Sequence, residues 1–175
     1  MKCTLIKAPN VDDMFLFKRA IWITDRSKRG KVPTSPPSSE LLRKVLRARH
    51  SPIRVLNFAF LFEDIPSNVS VHLCRHVHAQ PFVSSLRNDR QDEIDGDKAP
   101  RDTPVDMIYY VNAEELQIIA NKRLCAKAST RTQEAVRMMC DEAIKVMPEL
   151  EEVLVPMCER CNGKCYEVQP CGRWD

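Results

Sequence analysis

The chain has 175 residues, of which 43% are hydrophobic, and its formal net charge at pH 7 is +3. This length suits one domain whose core needs no disulfide support, and no apolar run approaches the roughly 20 residues that cross a bilayer. The small, mixed charge favours an anionic small molecule over a nucleic-acid duplex, which requires a basic face. The first residues lack a signal-peptide pattern, so we expect a cytoplasmic protein without a membrane partner.

The first third of the chain contains a strand, two helices and a loop. A short strand and a helix are separated from the rest by residues 25–39, which are rich in Pro, Ser and Lys and predict a surface loop. Serine caps and apolar residues at helical spacing then predict an amphipathic helix from Glu40 to Arg49. Its other face carries Arg and Lys, which is typical of a solvated surface.

A buried strand and a second helix pattern follow. Phe58, Phe60 and Phe62 alternate along the chain, which predicts a strand with one face in the core. After Pro66, apolar residues recur four apart up to Leu73, which predicts a helix ending close to residues 75 and 76.

The second half of the chain resumes after a charged segment. Residues 88–104 hold little core material and predict a flexible excursion with the character of a lid. A strand over 105–111 precedes a helix whose Asn112 and Glu115 have capping-box spacing, and another helix ends before Pro148. Because strands and helices are interspersed without a βαβ rhythm, the expected class is α+β.

Polar side chains crowd into sixteen residues behind the predicted buried strand. Arginine offers a planar fork to phosphate, and serine hydroxyls with backbone N–H groups complete an anion cradle. Cations also suit a helix end for reasons unrelated to function. The composition points to a phosphorylated small molecule. The residues are His72, Arg75, His76, His78, Ser84, Ser85 and Arg87.

Two polar residues share one face of the helix that begins near residue 112. Asn112 and Arg123 are eleven residues apart, close to three full turns. The simplest role for Asn112 is that of a helix cap. Arg123 lies near the edge of the apolar stripe, so its head either reaches into a cleft or extends to solvent.

Cysteines are concentrated at the end of the chain. Four thiolates at such short spacing suit a tetrahedral zinc site or, less often, an iron–sulfur cluster, with free thiols or a disulfide pair as the alternative. The proposed ligands are Cys158, Cys161, Cys165 and Cys171. The other four cysteines fit buried small residues better.

The stretch from His50 to Arg87 resembles the flavin-dependent thymidylate synthases. The signature of that family is Arg-His-Arg, seven residues, Ser, and an Arg two residues further on, and residues 75, 76, 85 and 87 occupy those positions. The His-Ser-Pro at 50–52 is similar to the segment before the family's strand. The helix after Asn112 is similar to the family's Asn-Ala-Arg helix, whose later arginine is matched by Arg123.

The resemblance implies a fold, a reaction and an assembly. The implied fold is α+β, an antiparallel sheet flanked by helices, over residues 1–155, with a Cys-rich tail at 156–175. The implied reaction methylates dUMP at C5 with methylenetetrahydrofolate as carbon donor, FAD as cofactor and NADPH as reductant. The implied assembly is a homotetramer whose active sites are shared between subunits.

The resemblance also implies roles for individual residues. The nucleotide would be held by Arg75, Ser85, the backbone of Leu86, and Arg87. Arg123 would meet the uracil ring and polarise it, as a preorganised charge facing developing negative charge. The flavin would lie along Ser51, His76 and Asn112.

Several positions depart from the family pattern, mostly on the flavin side. Val77 replaces the third residue of Arg-His-Arg, and Phe82 and Val83 replace Asn-Glu. Glu114 replaces the arginine of Asn-Ala-Arg, while Arg54 stands where an acid is common. Two readings stay open beside the synthase: a nucleotide-binding relative with altered or lost flavin chemistry, and a different C5 modification of a pyrimidine nucleotide.

Overall fold

A computed structural model describes residues 1–92 and 94–173. Within them, strands β1 (Lys2–Lys7), β2 (Asn57–Pro66), β3 (Gln80–Val83) and β4 (Pro104–Asn112) form an antiparallel sheet in the order β1-β2-β4-β3. The helices are α1 (Val11–Thr24), α2 (Ser39–Ala48), α3 (Ser67–Cys74), α4 (Ala113–Arg123), α5 (Thr130–Val146) and α6 (Met157–Arg160). The predicted α+β class with an antiparallel sheet and helices is confirmed.

The core lies between the helices and one face of the sheet. Phe58, Phe60 and Phe62 are fully buried, as their alternation predicts, and they pack in one cluster with apolar residues of α1 to α5. A bulge after Phe62, with Asp64 at φ 55°, shifts the register of β2. Ile65 therefore also faces the core, although it is three residues beyond Phe62.

The helix caps agree with the sequence, with one informative difference. Ser38 caps α2, and the Asn112 side chain accepts a hydrogen bond from Glu115 N at 3.0 Å. The capping box predicted for α4 is only half formed, because the Glu115 carboxylate binds His76 instead.

Strand β3 was not predicted, because the polar residues around it indicated an anion cradle. It lies at the sheet edge and pairs with β4, so that Phe82 stands opposite Ile108, which in turn stands opposite Leu61 of β2. These three form a row on the sheet face away from the core. Phe82 is 63% exposed and Ile108 39% exposed.

The charged segment after β3 is held by its own contacts. Gly96 N donates to Asn88 Oδ1 at 2.6 Å, and a Cβ at Gly96 would lie 1.8 Å from the Leu86 carbonyl oxygen, so only glycine fits. At its far end, Ser67 N and Asn68 N at the start of α3 donate to the carbonyls of residues 103 and 101. The lid function stays a prediction.

The chain beyond α5 packs back onto α4. Asn121 is buried and its Nδ2 donates to the carbonyls of Val153 and Val155, at 3.3 and 2.6 Å. Of the predicted tail 156–175, the last two residues lie outside the described part, and the domain division at residue 155 stays a prediction. No helix in the described residues is long and apolar enough to span a membrane.

Candidate active site

The ends of α3 and α4 bring three titratable side chains into one chain of hydrogen bonds. Arg123 Nε donates to His76 Nε2 at 3.1 Å, and His76 Nδ1 lies 3.2 Å from Glu115 Oε1. Arg123 also donates through Nη2 to the carbonyl of His72, at 3.1 Å. Arg123 thus turns inward and binds the end of α3, which settles the choice between cleft and solvent that its sequence position left open.

The hydrogen bonds fix how this group is protonated. Because His76 Nε2 accepts from a guanidinium, its proton lies on Nδ1 and is donated to Glu115. Burial and the charge of Arg123 lower the pKa of His76 to about 4, so the imidazole is neutral at pH 7. Burial raises the pKa of Glu115 above its ordinary value. The result is a positioned guanidinium on a neutral imidazole.

A cleft of about 320 Å³ lies along α3 and is linked to this group through His72, whose carbonyl binds Arg123. Arg75, at the end of α3, lines it together with Arg101, His72 and Asn68. Among the described residues Arg75 has no ion-pair or hydrogen-bond partner for its side chain, and it is exposed. Two guanidinium groups and an amide around one cleft can hold a phosphate.

The remaining predicted nucleotide residues follow β3. Ser85 Oγ accepts from Arg87 N at 3.2 Å, and the Arg87 guanidinium makes two bonds of 2.8 Å to Asp89. The Leu86 carbonyl is covered by Gly96. Within the described part of the chain, no hydrogen bond or ion pair joins this segment to Arg75, His76 or Arg123.

The residues predicted to bind the flavin differ in whether their polar atoms are free to form a hydrogen bond with it. Both ring nitrogens of His76 are hydrogen-bonded, and the Asn112 side chain caps α4. Ser51 is exposed, begins a 3-10 turn over Ser51–Val55, and lines a cavity of about 390 Å³ beside α1. Val77 is 83% exposed and offers no donor. Of the donors that the resemblance assigns to FAD, the Ser51 hydroxyl and Asn112 Nδ2 lack a hydrogen-bond partner within the described chain.

Two of the departures from the family pattern compensate each other. Arg54 donates to the Glu114 carboxylate through Nε at 2.6 Å and Nη2 at 3.2 Å. The family pattern implied by the resemblance has an acid and an arginine at these two positions, and here the two charges are exchanged. The ion pair joins the 3-10 turn to α4, so each departure supplies the partner of the other.

This reversal predicts the outcome of a double-mutant cycle. Arg54→Glu and Glu114→Arg should each lower the free energy of unfolding slightly, because each places like charges opposite one another. The double variant should recover most of that loss, and the remaining difference is the cost of an arginine near a helix N-terminus. Urea unfolding checks this, and strictly additive effects of the two substitutions would contradict the pairing.

The four tail cysteines do not form the metal site predicted from their spacing. Cys158 is buried on α6, Cys161 Sγ lies 3.8 Å from Met157 Sδ, and Cys171 is exposed. Among the described residues, no three His, Cys, Asp or Glu side chains converge as metal ligands. Cys158 and Cys165 line one cavity beside α4, but without a third converging ligand among the described residues the structure does not support zinc.

Two residues of the site escaped the sequence reasoning. Glu115 was interpreted as part of a capping box, and Arg101 lay in a segment interpreted as a mobile excursion. No local sequence pattern marks either residue. Glu115 contacts His76, which lies 39 positions away, and Arg101 reaches the cleft because backbone hydrogen bonds hold its loop against α3. A buried position for an acid on the apolar face of α4 was the available signal for Glu115.

The arrangement of strands and helices is that of the flavin-dependent thymidylate synthases. The chain superimposes with a TM-score of 0.66 on thymidylate synthase X (ThyX) from Helicobacter pylori in complex with FAD and dUMP, at 17% identity, covering 81% of this chain and 93% of that one. A second structure of that enzyme with FAD and dUMP gives a TM-score of 0.63 over the same shares. The resemblance seen in the sequence is therefore confirmed at the level of the fold.

A methylase shares the fold to a similar degree. The UMP/dUMP methylase PolB from Streptomyces cacaoi, bound with 5-Br dUMP, gives a TM-score of 0.64 at 14% identity, covering 88% of this chain and 96% of that one. No family model matches the sequence, and no curated protein matches it.

Proposed function

We propose that the protein is an enzyme of the ThyX type that methylates dUMP at C5. The observation that carries the proposal is Arg123, held by His76 and the His72 carbonyl beside a cleft with an unpaired arginine, Arg75. Both solved neighbours are bound to dUMP or a 5-substituted dUMP, as their descriptions state. The spaced signature in the sequence points to the same substrate.

In the proposed reaction, Arg75 and Arg101 hold the phosphate, and Arg123 faces the uracil. A fixed guanidinium beside the uracil stabilises negative charge on a ring carbonyl, and this polarisation makes C5 electron-rich. C5 then bonds to the one-carbon unit of methylenetetrahydrofolate as the bond from that carbon to a folate nitrogen breaks. Glu115 holds the His76 tautomer, and His76 in turn fixes the direction of Arg123, so neither needs to reorganise during the reaction.

Reduced FAD, when bound, would supply the hydride that converts the transferred methylene to a methyl group, and NADPH would restore the reduced flavin. The C5 proton is released, and tetrahydrofolate and thymidylate are the products. Ser51 has a free hydroxyl and Asn112 an available Nδ2 for the flavin, whereas His76 would have to exchange or share its present hydrogen bonds. No described residue is assigned to the folate or to NADPH.

The second candidate keeps the nucleotide and changes the cofactor. The exposed Val77 and Phe82 stand at positions where the family presents polar side chains, and both ring nitrogens of His76 are already engaged. These observations favour a relative that binds dUMP and performs a different C5 modification, or none.

The proposed assembly is the homotetramer implied by the family resemblance. The row of Leu61, Ile108 and Phe82 on the outer face of the sheet supports burial against another copy, because it is apolar and spans three strands. Light scattering after size-exclusion chromatography tests this, with Phe82→Asp as the variant expected to dissociate the assembly.

The decisive experiment is a titration of the purified protein with FAD, followed by flavin absorbance and fluorescence, with and without dUMP. FAD binding strengthened by dUMP supports the synthase. Bound dUMP without FAD supports the second candidate, and failure to bind either ligand contradicts both. Val77→Arg, which completes the Arg-His-Arg signature, serves as the matched variant and should increase FAD affinity if the flavin side is only weakened. Formation of thymidylate from dUMP, methylenetetrahydrofolate and NADPH then tests the reaction.

A further inference from the structure

Two arginines outside the active site converge on one buried amide. Arg49, just after α2, donates through Nε to Gln117 Oε1 at 3.3 Å, and Arg160, at the end of α6, donates through Nη1 to the same oxygen at 2.9 Å. The two donating nitrogens are therefore separated by no more than the sum of these distances. Gln117 is completely buried on α4.

Neither arginine has an acidic partner. Nearby Arg43 and Arg47 both pair with Glu152, but Arg49 and Arg160 form no ion pair within the described residues. Their other bonds go to neutral oxygens, those of the Asn121 side chain and the Arg47 backbone. Burial lowers the pKa of both guanidinium groups, and the charge of Arg160 lowers that of Arg49 further, although the charge of Glu114 partly opposes this shift. Two partly desolvated cations thus oppose each other.

The amide between them also has an unused donor. Since both arginines are donors, Oε1 of Gln117 must face them, and Nε2 takes the adjacent position on the same amide carbon. Nε2 is buried and has no hydrogen-bond partner in the part of the chain that the structure describes. An unpaired buried N–H of this kind costs about 1–3 kcal/mol, so an acceptor is expected there.

We propose that Arg49, Arg160 and Gln117 form a binding site for a compact oxyanion group, a phosphate or carboxylate of a small molecule, between α2, α4 and α6. Such a group accepts from the spare N–H groups of both arginines, neutralises their repulsion and offers an acceptor to Gln117 Nε2. Each arginine has five N–H donors and makes two hydrogen bonds here, so a planar or tetrahedral oxyanion has donors available.

The site is separate from the proposed nucleotide cleft. Glu115 and Arg123 of α4 face His76, whereas Gln117 and Asn121 of the same helix face Arg49 and the segment before α6. Occupancy would fasten α6 and the following tail to the body of the protein, because Arg160 is the residue of α6 that reaches across to α2.

Calorimetric titration with inorganic pyrophosphate and, separately, with glutarate tests the site and distinguishes a phosphate from a carboxylate ligand. At least one should bind the wild type, and Arg160→Met should weaken that binding about tenfold or more, the equivalent of one lost charge-assisted contact. Arg47→Met is the matched control, because it removes a neighbouring, ion-paired arginine and should leave the affinity unchanged. Arg75→Met removes the arginine proposed for the nucleotide cleft, so a binding step that is lost in Arg75→Met but kept in Arg160→Met belongs to that cleft, and the step lost in Arg160→Met belongs to this site.

Folding of the variants is checked independently. Arg160→Lys keeps the charge but loses the fork, and should bind with intermediate affinity while α6 stays in place. Without the anion, thermal unfolding of Arg160→Met should shift little, since the substitution also relieves the repulsion from Arg49. Failure of both probes to bind the wild type, or equal affinity in wild type and Arg160→Met, would overturn the proposal. Loss of binding in Arg75→Met alone would assign the anion to the other cleft and overturn it equally.

Discussion

Replacing Arg123 with alanine should reduce the rate of dUMP methylation by about 10²- to 10³-fold, while dUMP binding stays measurable. The loss has this size because a single preorganised charge facing the developing negative charge contributes about that much to turnover. The guanidinium is held by His76 Nε2 and the His72 carbonyl, both at 3.1 Å, so its position is fixed before the substrate arrives. Turnover and dUMP affinity are measured on the same preparation.

Two further variants separate catalysis from folding in this experiment. Lys122→Ala removes the neighbouring cation, which is exposed and paired with Glu167, and should retain wild-type turnover. Arg123→Lys keeps the charge without the fork and should recover part of the rate. If Arg123→Ala turns over dUMP at the wild-type rate, Arg123 has no role in the reaction.

Replacing Arg75 with alanine should weaken dUMP binding about 10- to 100-fold, because one charge-assisted contact to phosphate is lost. Arg75 is exposed, has no partner among the described residues, and lines the cleft with Arg101. The substitution should therefore leave the free energy of unfolding nearly unchanged. The measurement is the ratio of the affinity for dUMP to the affinity for deoxyuridine, and this ratio should be smaller in the variant than in the wild type.

The control for Arg75 is an arginine of similar exposure that already has a partner. Arg131 at the start of α5 pairs with Asp102 at 3.4 Å, and Arg131→Ala should preserve the preference for dUMP. Arg101→Ala, like Arg75→Ala, should lower the preference for dUMP over deoxyuridine. An unchanged preference in Arg75→Ala would place the phosphate elsewhere, with the Ser85–Arg87 segment as the next candidate.

The proposed function and the anion site fail independently. The nucleotide proposal depends on the ends of α3 and α4, and the anion proposal on Arg49 and Arg160, which meet the opposite side of α4. If the protein binds pyrophosphate through Arg160 but does not bind dUMP, the anion site is supported and the proposed dUMP methylation is contradicted.

The sequence by itself determined most of the secondary structure and the fold. The alternating phenylalanines of β2, the capped starts of α2 and α4, and the apolar stripes of α4 and α5 lie where the patterns predict them, because these depend on neighbours in the chain. The spaced residues from 75 to 87, with Arg123, were enough to recognise the fold that the solved neighbours share.

Only the tertiary structure decided the partners of the functional side chains. Arg123 meets His76 across 47 positions, Glu115 meets His76 across 39, and Arg54 meets Glu114 across 60. The same packing kept the tail cysteines apart although their spacing suited a metal. Local sequence determines which residues lie on each face of a helix. Which residues that face contacts depends on how the helices pack on the sheet, and this packing is determined by the whole chain.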